Sequence, residues 1–478
     1  MIGILLKDNG FEQDIRELLM AFYPGEKFAH QETEGVDFYV KGEPGQGQYV
    51  LDVDGDRREF EVPDGDRLET KNRIKRNLYQ MLVSRTGREL PWGTLTGIRP
   101  TKIPLTKLEE GWNREEIMDF MKKTYYAGDD KIRLSVEIAE RERQILSSIS
   151  YENGYSLYVG IPFCPTTCLY CSFTSYPIGK WEKRMDEYLE ALSRELSYTA
   201  EKMRGKKLET IYFGGGTPTA LSAEHLERVI CEVERLFDRS GVLEFTVEAG
   251  RPDSITREKL EVLKRHGVTR ISINPQTMNQ KTLDLIGRRH TVEMVKEKFL
   301  LAREMGFDNI NMDLIIGLPG EGMEELSHTL EEIRALSPDS LTVHSLALKR
   351  AARLKLEWDQ YVDLGMVNTQ EMIDLTARFA RELGMEPYYL YRQKNMAGNF
   401  ENVGYSLPGK ACIYNILIME EMQTIAACGA GTTTKVVFPG ENRRERTENV
   451  KDVEQYIQRV GEMIGRKDEL LSQIAGNA

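Results

Sequence analysis

Between residues 155 and 348 the sequence alternates short, largely apolar runs with longer amphipathic ones. This alternation limits the fold more than any other feature. The runs at 156–160, 210–213, 244–248, 270–274, 309–315 and 340–345 have the length and apolar content of strands. Between them, 185–202, 223–237, 292–304 and 323–335 carry apolar residues at helical spacing. Six strand–helix units in about 190 residues predict a parallel sheet curled into an incomplete barrel. Right-handed crossovers then bring the C-terminal ends of all six strands to one rim, where such folds place their chemistry.

The flanks read differently. Residues 1–86 look like a small α/β module, with a strand at Ile2–Leu6, a helix over 11–22, a meander at 37–40, 49–53 and 59–62, and a long helix over 67–85. Residues 87–150 form a linker and helical bridge: a Gly- and Pro-bearing stretch at 90–102, then two helices between 114 and 148. The barrel takes 151–348, and 349–478 is expected to form a separate, mostly helical C-terminal cap. The fold class expected is α/β, a partial (β/α)6 barrel between that module and that cap.

The chain has 478 residues, of which 40% are hydrophobic and 29% charged, a balance suited to a large buried core. A net charge of −12 argues against nucleic acid as a partner, because phosphate binding needs a basic face. The sequence offers no apolar run long enough for a membrane span and no secretory leader, so a cytoplasmic protein is expected. Six cysteines in so long a chain are not a disulfide framework.

Three of the six crowd into one loop. Cys164, Cys168 and Cys171 lie within eight residues, just past the first barrel strand. Three thiolates on one loop can hold three irons of a 4Fe–4S cluster and leave the fourth open to a small molecule. A zinc knuckle and inert thiols are the competing readings, although His225, His266 and His290 all sit on other units. Further polar residues end successive strands. Tyr212-Phe213-Gly214-Gly215-Gly216-Thr217 closes the second, and its glycines are expected to bring free N–H groups close to a ligand. Glu248 ends the third strand, while Ser272, Asn274 and Gln276 alternate on one face of the fourth. Arg288 follows a short helix and by itself reads as one of a pair of surface arginines. Asp313 projects among apolar neighbours of the fifth strand and needs a partner.

The Cys-x3-Cys-x2-Cys spacing at the end of a first barrel strand resembles the radical S-adenosylmethionine (SAM) superfamily. Tyr158-x-x-Ile161-Pro162-Phe163 before it is similar to the oxygen-independent coproporphyrinogen III oxidase (coproporphyrinogen dehydrogenase) group. With Tyr389-Leu390-Tyr391-Arg392-Gln393-Lys394-Asn395 and the N-terminal module, the chain looks like the HemZ-type branch. The resemblance implies a radical SAM barrel with a 4Fe–4S cluster on Cys164, Cys168 and Cys171, which with Tyr158 would form the catalytic set. It implies SAM contacts from Tyr158, Tyr170, Gly215, Gly216, Thr217, Glu248, Gln276, Arg288, Asp313 and Ala347. It also implies oxidative decarboxylation of two coproporphyrinogen III propionates to vinyl groups, giving protoporphyrinogen IX in haem biosynthesis. The electron donor would be a protein such as flavodoxin or ferredoxin.

A four-propionate tetrapyrrole needs cationic partners, and Arg99, Lys102, Lys349, Arg350, Arg353 and the aromatic segment 388–395 are candidates. Two positions depart from the group's pattern. Ser172 and Phe173 follow the third thiol where the oxidases carry a further cysteine two places on, and Phe173 is similar to the haem-chaperone branch, so a haem-binding chaperone-like role and another radical SAM reaction on a tetrapyrrole are the alternatives. Gly160 stands where the group usually has histidine. Cys412 and Cys428 are distant candidates for the missing thiol, or simply core residues.

Overall fold

The computed structural model describes residues 1–475 except 348, 350, 351, 394–399, 439 and 442. Arg350, Lys394 and Asn395 therefore lie outside the described residues. The chain divides into two units, Met1–Glu140 with Leu390–Glu401, and Arg141–Tyr389 with Asn402–Ala478.

In the first unit, β1 (Ile2–Leu6) runs parallel to both β2 (Phe28–Ala29) and β3 (Phe38–Pro44). An antiparallel meander through β4 (Gln48–Val53) and β5 (Asp56–Glu61) completes the sheet in the order β2-β1-β3-β4-β5. Alternation along β4 sends Tyr49, Leu51 and Val53 inward. They meet Ile15, Leu18 and Leu19 of α1 (Glu12–Phe22) and Ile74, Leu78 and Leu82 of α2 (Arg67–Thr86) in one core. Asp66 caps α2 by accepting from the Glu69 N–H at 2.9 Å. Helix α3 (Lys102–Glu109) begins where the Gly- and Pro-bearing stretch ends. It tolerates Pro104 because first-turn N–H groups have no intrahelical acceptor to lose. Two more helices, α4 (Arg114–Tyr125) and α5 (Asp129–Leu146), follow. Glu401 ties its segment into this unit. Its buried carboxylate accepts from the Trp92 indole at 2.8 Å and from Lys131 at 2.7 Å.

The second unit is built on β6 (Gly154–Ile161), followed in the chain by the short parallel pair β7 (Phe163–Cys164) and β8 (Tyr176–Pro177). The strands β9 (Lys207–Gly215), β10 (Glu244–Glu248), β11 (Arg270–Ser272), β12 (Ile310–Ile316) and β13 (Ser340–Ser345) continue the parallel sheet from β6 in chain order. The helices α6 (Met185–Lys202), α7 (Ala223–Leu236), α8 (Arg257–Arg265), α9 (Gln280–Leu285), α10 (Val292–Glu304) and α11 (Met323–Leu336) make the crossovers. Ser222, Thr256 and Thr291 cap α7, α8 and α10 with side-chain oxygens. Consecutive residues Ser156 and Leu157 of β6 and Thr210 and Ile211 of β9 are all fully buried, as a sheet covered on both faces requires.

Past Lys349 the chain continues through α12 (Arg353–Leu356), α13 (Gln370–Glu382), β14 (Glu386–Tyr391), β15 (Asn402–Ser406), α14 (Ile413–Glu420), β16 (Thr424–Cys428), β17 (Thr433–Phe438), β18 (Arg443–Glu448) and α15 (Val453–Ala475). Its strands extend the sheet at both edges, in the order β14-β15-β13-β12-β11-β10-β9-β6-β16-β17-β18. The sheet is open, with β16 parallel to β6 and β15 antiparallel to β13. The mixed α/β class expected from the alternation is the class observed, without closure into a full barrel. Helix α15 is fixed by a buried ion pair: Lys467 donates to Glu195 of α6 at 2.6 Å. Glu195 also accepts from Tyr456 at 2.5 Å and from Asn449 and the Gly429 N–H, both at 2.8 Å, so a costly buried charge is fully partnered.

Candidate active site

The thiol loop leaves β6 at the rim and is held from several directions. Leu169 N–H donates to the Ile286 carbonyl at 2.9 Å, and the Thr166 hydroxyl donates to the Gly287 carbonyl at 3.0 Å. From α12, the Leu354 N–H donates to the Leu169 carbonyl at 2.9 Å. Cys164 and Cys171 are half-buried and Cys168 is buried, all three as free thiols. Burial pushes the Cys164 thiol up to about 11 and raises Cys171 as well. Neutral thiols in such surroundings become ligands only when a metal takes the charge. Among the described residues, only Cys231, Glu234 and His266 bring three potential ligand atoms within 4.8 Å of one another.

The glycine run works differently from the expectation of free N–H groups. Gly216 N–H donates to the Ile161 carbonyl at 2.8 Å and Thr217 N–H to the Phe163 carbonyl at 2.7 Å. The pairing of β9 with β6 runs through Gly215, which occupies those donors. The glycines permit close approach instead. A Cβ on Gly216 would lie 2.5 Å from the Phe163 carbonyl oxygen, and Gly215 has φ +105°. This seats the thiol loop on the end of β9 and brings the Thr217 hydroxyl 3.4 Å from the Cys164 sulfur.

Farther along the rim, burial pushes Glu248 up to about 7, against the opposing pull of the Tyr212 hydroxyl that donates to it. Tyr212 stacks on Tyr414 at 4.3 Å, and Tyr158 packs against both at 5.9 and 6.0 Å. Gln276 is 8% exposed with φ +69°, a left-handed conformation that a non-glycine residue adopts only when its surroundings impose it. Its N–H donates to the Asp313 carbonyl at 2.9 Å, and its side-chain oxygen is buried without a partner. Arg288, which alone reads as a surface residue, is 5% exposed. Its guanidinium donates to the Asn274 carbonyl at 2.5 Å and neighbours Tyr170 and Cys168, while its Nε is unpartnered. Burial alone would raise the Asp313 carboxyl, but His344 and Asn311 outweigh it and hold it low. Asn311 donates at 2.7 Å, and His344 lies 3.7 Å away. Ala347 is half-buried beyond β13.

Glu248 thus ends β10, Gln276 and Arg288 lie in the connection after β11, and Asp313 lies within β12, on the same rim as the thiol loop. Two unpartnered buried polar atoms and the glycine seat fit an iron–sulfur cluster and a polar ligand beside it.

Several candidates are engaged elsewhere. Cys412 is buried with its sulfur 3.3 Å from Glu244, and Cys428 lies 3.3 Å from Thr199 and 3.6 Å from Lys467. Both are core residues. Arg353 pairs with Glu357 at 3.1 Å, and Lys349 is half-buried. Arg99 and Lys102 belong to the first unit. Tyr388 and Tyr389 are buried in β14, and Arg392 donates to the Leu95 carbonyl at 2.6 Å, so these residues serve the framework. A histidine at position 160 has no room, because a Cβ there would lie 2.4 Å from the Thr432 methyl. Phe173 is 79% exposed beside the thiols. Sequence reasoning missed His344, Arg251 and Tyr414. An Arg and an Asp just past a barrel strand were a usable signal for Arg251, whereas nothing local marks Tyr414.

This fold and thiol loop define a radical SAM barrel, and residues 158–333 match the Radical SAM superfamily. The superfamily uses a 4Fe–4S cluster and S-adenosylmethionine. Over 98% of its length the chain is 40% identical to the oxygen-independent coproporphyrinogen-III oxidase-like protein HemZ of Bacillus subtilis (strain 168), covering 97% of that protein. The chain belongs to this HemZ family of radical SAM proteins. It is also 42% identical over 195 residues to the heme chaperone HemW of Bacillus subtilis (strain 168), a stretch that is 41% of this chain and 51% of that one. Among solved structures, coproporphyrinogen III oxidase (HemN) from Escherichia coli shares the fold. Its TM-score is 0.54 at 24% identity, over 66% of this chain and 71% of that one.

Proposed function

We propose that this protein is an oxygen-independent coproporphyrinogen III oxidase, decarboxylating two propionates to vinyl groups to give protoporphyrinogen IX. The observation that carries the reading is the buried Arg288 beside Cys168 of the thiol loop, with the strained Gln276, whose side-chain oxygen lacks a partner, on the same rim. Full-length similarity to a coproporphyrinogen-III oxidase-like protein supports the substrate class. With Cys164, Cys168 and Cys171 holding the cluster, bound SAM would supply a hydrogen-abstracting radical after one-electron cleavage.

The chain's own residues do the rest. Thr217 and the glycine seat fix the loop, and Gly215, Gly216 and Thr217 would line the methionine end of SAM. Arg288 would receive its carboxylate with the remaining capacity of its guanidinium. Asp313, kept ionised by His344 and Asn311, would accept from ribose hydroxyls. Glu248 and Gln276 would complete the polar wall, with Tyr158 and Tyr170 packing beside the cluster and Ala347 beside the adenine. A flavodoxin- or ferredoxin-like donor would deliver the electron in the cytoplasm. Among the described residues, no helix is long and apolar enough to cross a membrane.

The test is an anaerobic assay of reconstituted protein with reductant, SAM and coproporphyrinogen III. The expected result is 5′-deoxyadenosine and CO2 in step with a vinyl product. Exposed Phe173 and the similarity to HemW favour a second reading, haem carriage. Stoichiometric haem binding without any vinyl product would select it.

A further inference from the structure

Arg251 lies three residues past β10 and is 2% exposed. All five N–H groups of its guanidinium are engaged. Nε and one Nη2 hydrogen donate to the two oxygens of Asp253 at 2.9 and 2.7 Å, a bidentate pair. The other Nη2 hydrogen donates to the Thr166 hydroxyl at 3.0 Å. Nη1 donates to the Thr166 carbonyl at 3.0 Å and to the Cys168 sulfur at 3.6 Å. Thr166 then donates its hydroxyl hydrogen to the Gly287 carbonyl at 3.0 Å. A buried guanidinium is therefore locked by one carboxylate with its free edge turned onto the thiol loop and ending on one sulfur.

Burying this charge is tolerated because Asp253 pairs with it, and that pairing also fixes its aim. Holding the loop alone would need only the two bonds to Thr166. The third contact, to sulfur, has an electronic consequence. Donors aimed at cluster sulfurs withdraw electron density and favour the reduced form, one of the levers that set iron–sulfur potentials.

We propose that Arg251, oriented by Asp253, is a positioning residue that sets the redox poise of the cluster through N–H donation to Cys168. The step it governs is uptake of one electron by the oxidised cluster from an external low-potential reductant. This inference rests on the reading that Cys164, Cys168 and Cys171 hold the cluster.

Full-length wild-type protein, Arg251→Met and Arg251→Lys would be reconstituted anaerobically and assayed for iron and sulfide. Each would then be titrated against a series of poised potentials without SAM, with the reduced fraction read by EPR. At the potential where wild type is half reduced, Arg251→Met is expected to show a reduced-to-oxidised ratio at least tenfold lower, equal to 59 mV for a one-electron couple. Arg251→Lys keeps the charge but loses the fork, and is expected to fall at least threefold. A merely structural role would lower iron content or melting temperature and leave the ratio of loaded protein unchanged. A loaded Arg251→Met within twofold of wild type overturns the inference and leaves the cluster reading intact. If Arg251→Met cannot be loaded, an unchanged ratio in Arg251→Lys overturns it. Wild type that takes up no cluster overturns the underlying reading, and this inference with it.

Discussion

The Glu248→Gln substitution isolates the electrostatic cost of the rim. Burial raises the carboxyl of Glu248 from 4.5 to about 7, with Asp313 adding to the rise and Tyr212, Arg270 and His344 opposing it. A folded-state value above the unfolded one means that the neutral acid is the form the fold prefers. Its contribution is fully present below pH 4.5 and is lost as the pH climbs through 7. The gap is worth roughly 3 kcal/mol at about 1.4 kcal/mol per pH unit. Glutamine is neutral at every pH and still accepts from the Tyr212 hydroxyl. Wild type and Glu248→Gln should therefore match in urea stability near pH 4.5. The variant should gain steadily to about pH 7 and hold a lead of roughly 3 kcal/mol above it. The measurement is a series of urea unfolding curves of cluster-free protein from pH 4.5 to 8.5. A stability difference that stays flat across this range would refute the assigned burial and charge.

Three further outcomes follow from contacts elsewhere in the second unit. Lys467→Met leaves Glu195 buried without its cation and should cost about 3–5 kcal/mol in denaturant unfolding. Gly160→Ala places a methyl 2.4 Å from the Thr432 methyl and should cost about 1–3 kcal/mol. Thr432→Ser removes the clashing methyl, so the double variant should melt close to wild type. Gly216→Ala drives a Cβ against the Phe163 backbone, which cannot yield. Iron retained after reconstitution should drop several-fold while far-UV circular dichroism is preserved.

How much the sequence discloses depends on whether the information is local. The parallel strands of the second unit read directly because each is a short apolar run between amphipathic helices. The rim residues were legible for the same reason, since strand ends locate them. Strand β18, Arg-Arg-Glu-Arg-Thr-Glu, has no apolar alternation. It is a strand because β17 pairs with it along its whole length. The placement of Cys412 and Cys428 was equally hidden, because their partners Glu244 and Lys467 come from distant elements. Arg288 shows the reverse case. Its charge suggests the surface, and only the folded loop reveals that it is enclosed. The glycine run marks a close approach, but the free N–H groups it suggests are taken by the Ile161 and Phe163 carbonyls, a pairing no local signal reveals.

The pairing of β6 with β16 gives the molecule a timetable. Tyr155 meets Thr424, a partner synthesised about 270 residues later. At about 5–20 residues per second, the ribosome needs roughly 15–50 s to deliver it. Throughout that interval the strand leading to the three thiols has one unpaired edge, the kind that recruits wrong partners. A chain truncated before residue 424 is therefore expected to leave this edge open to aggregation.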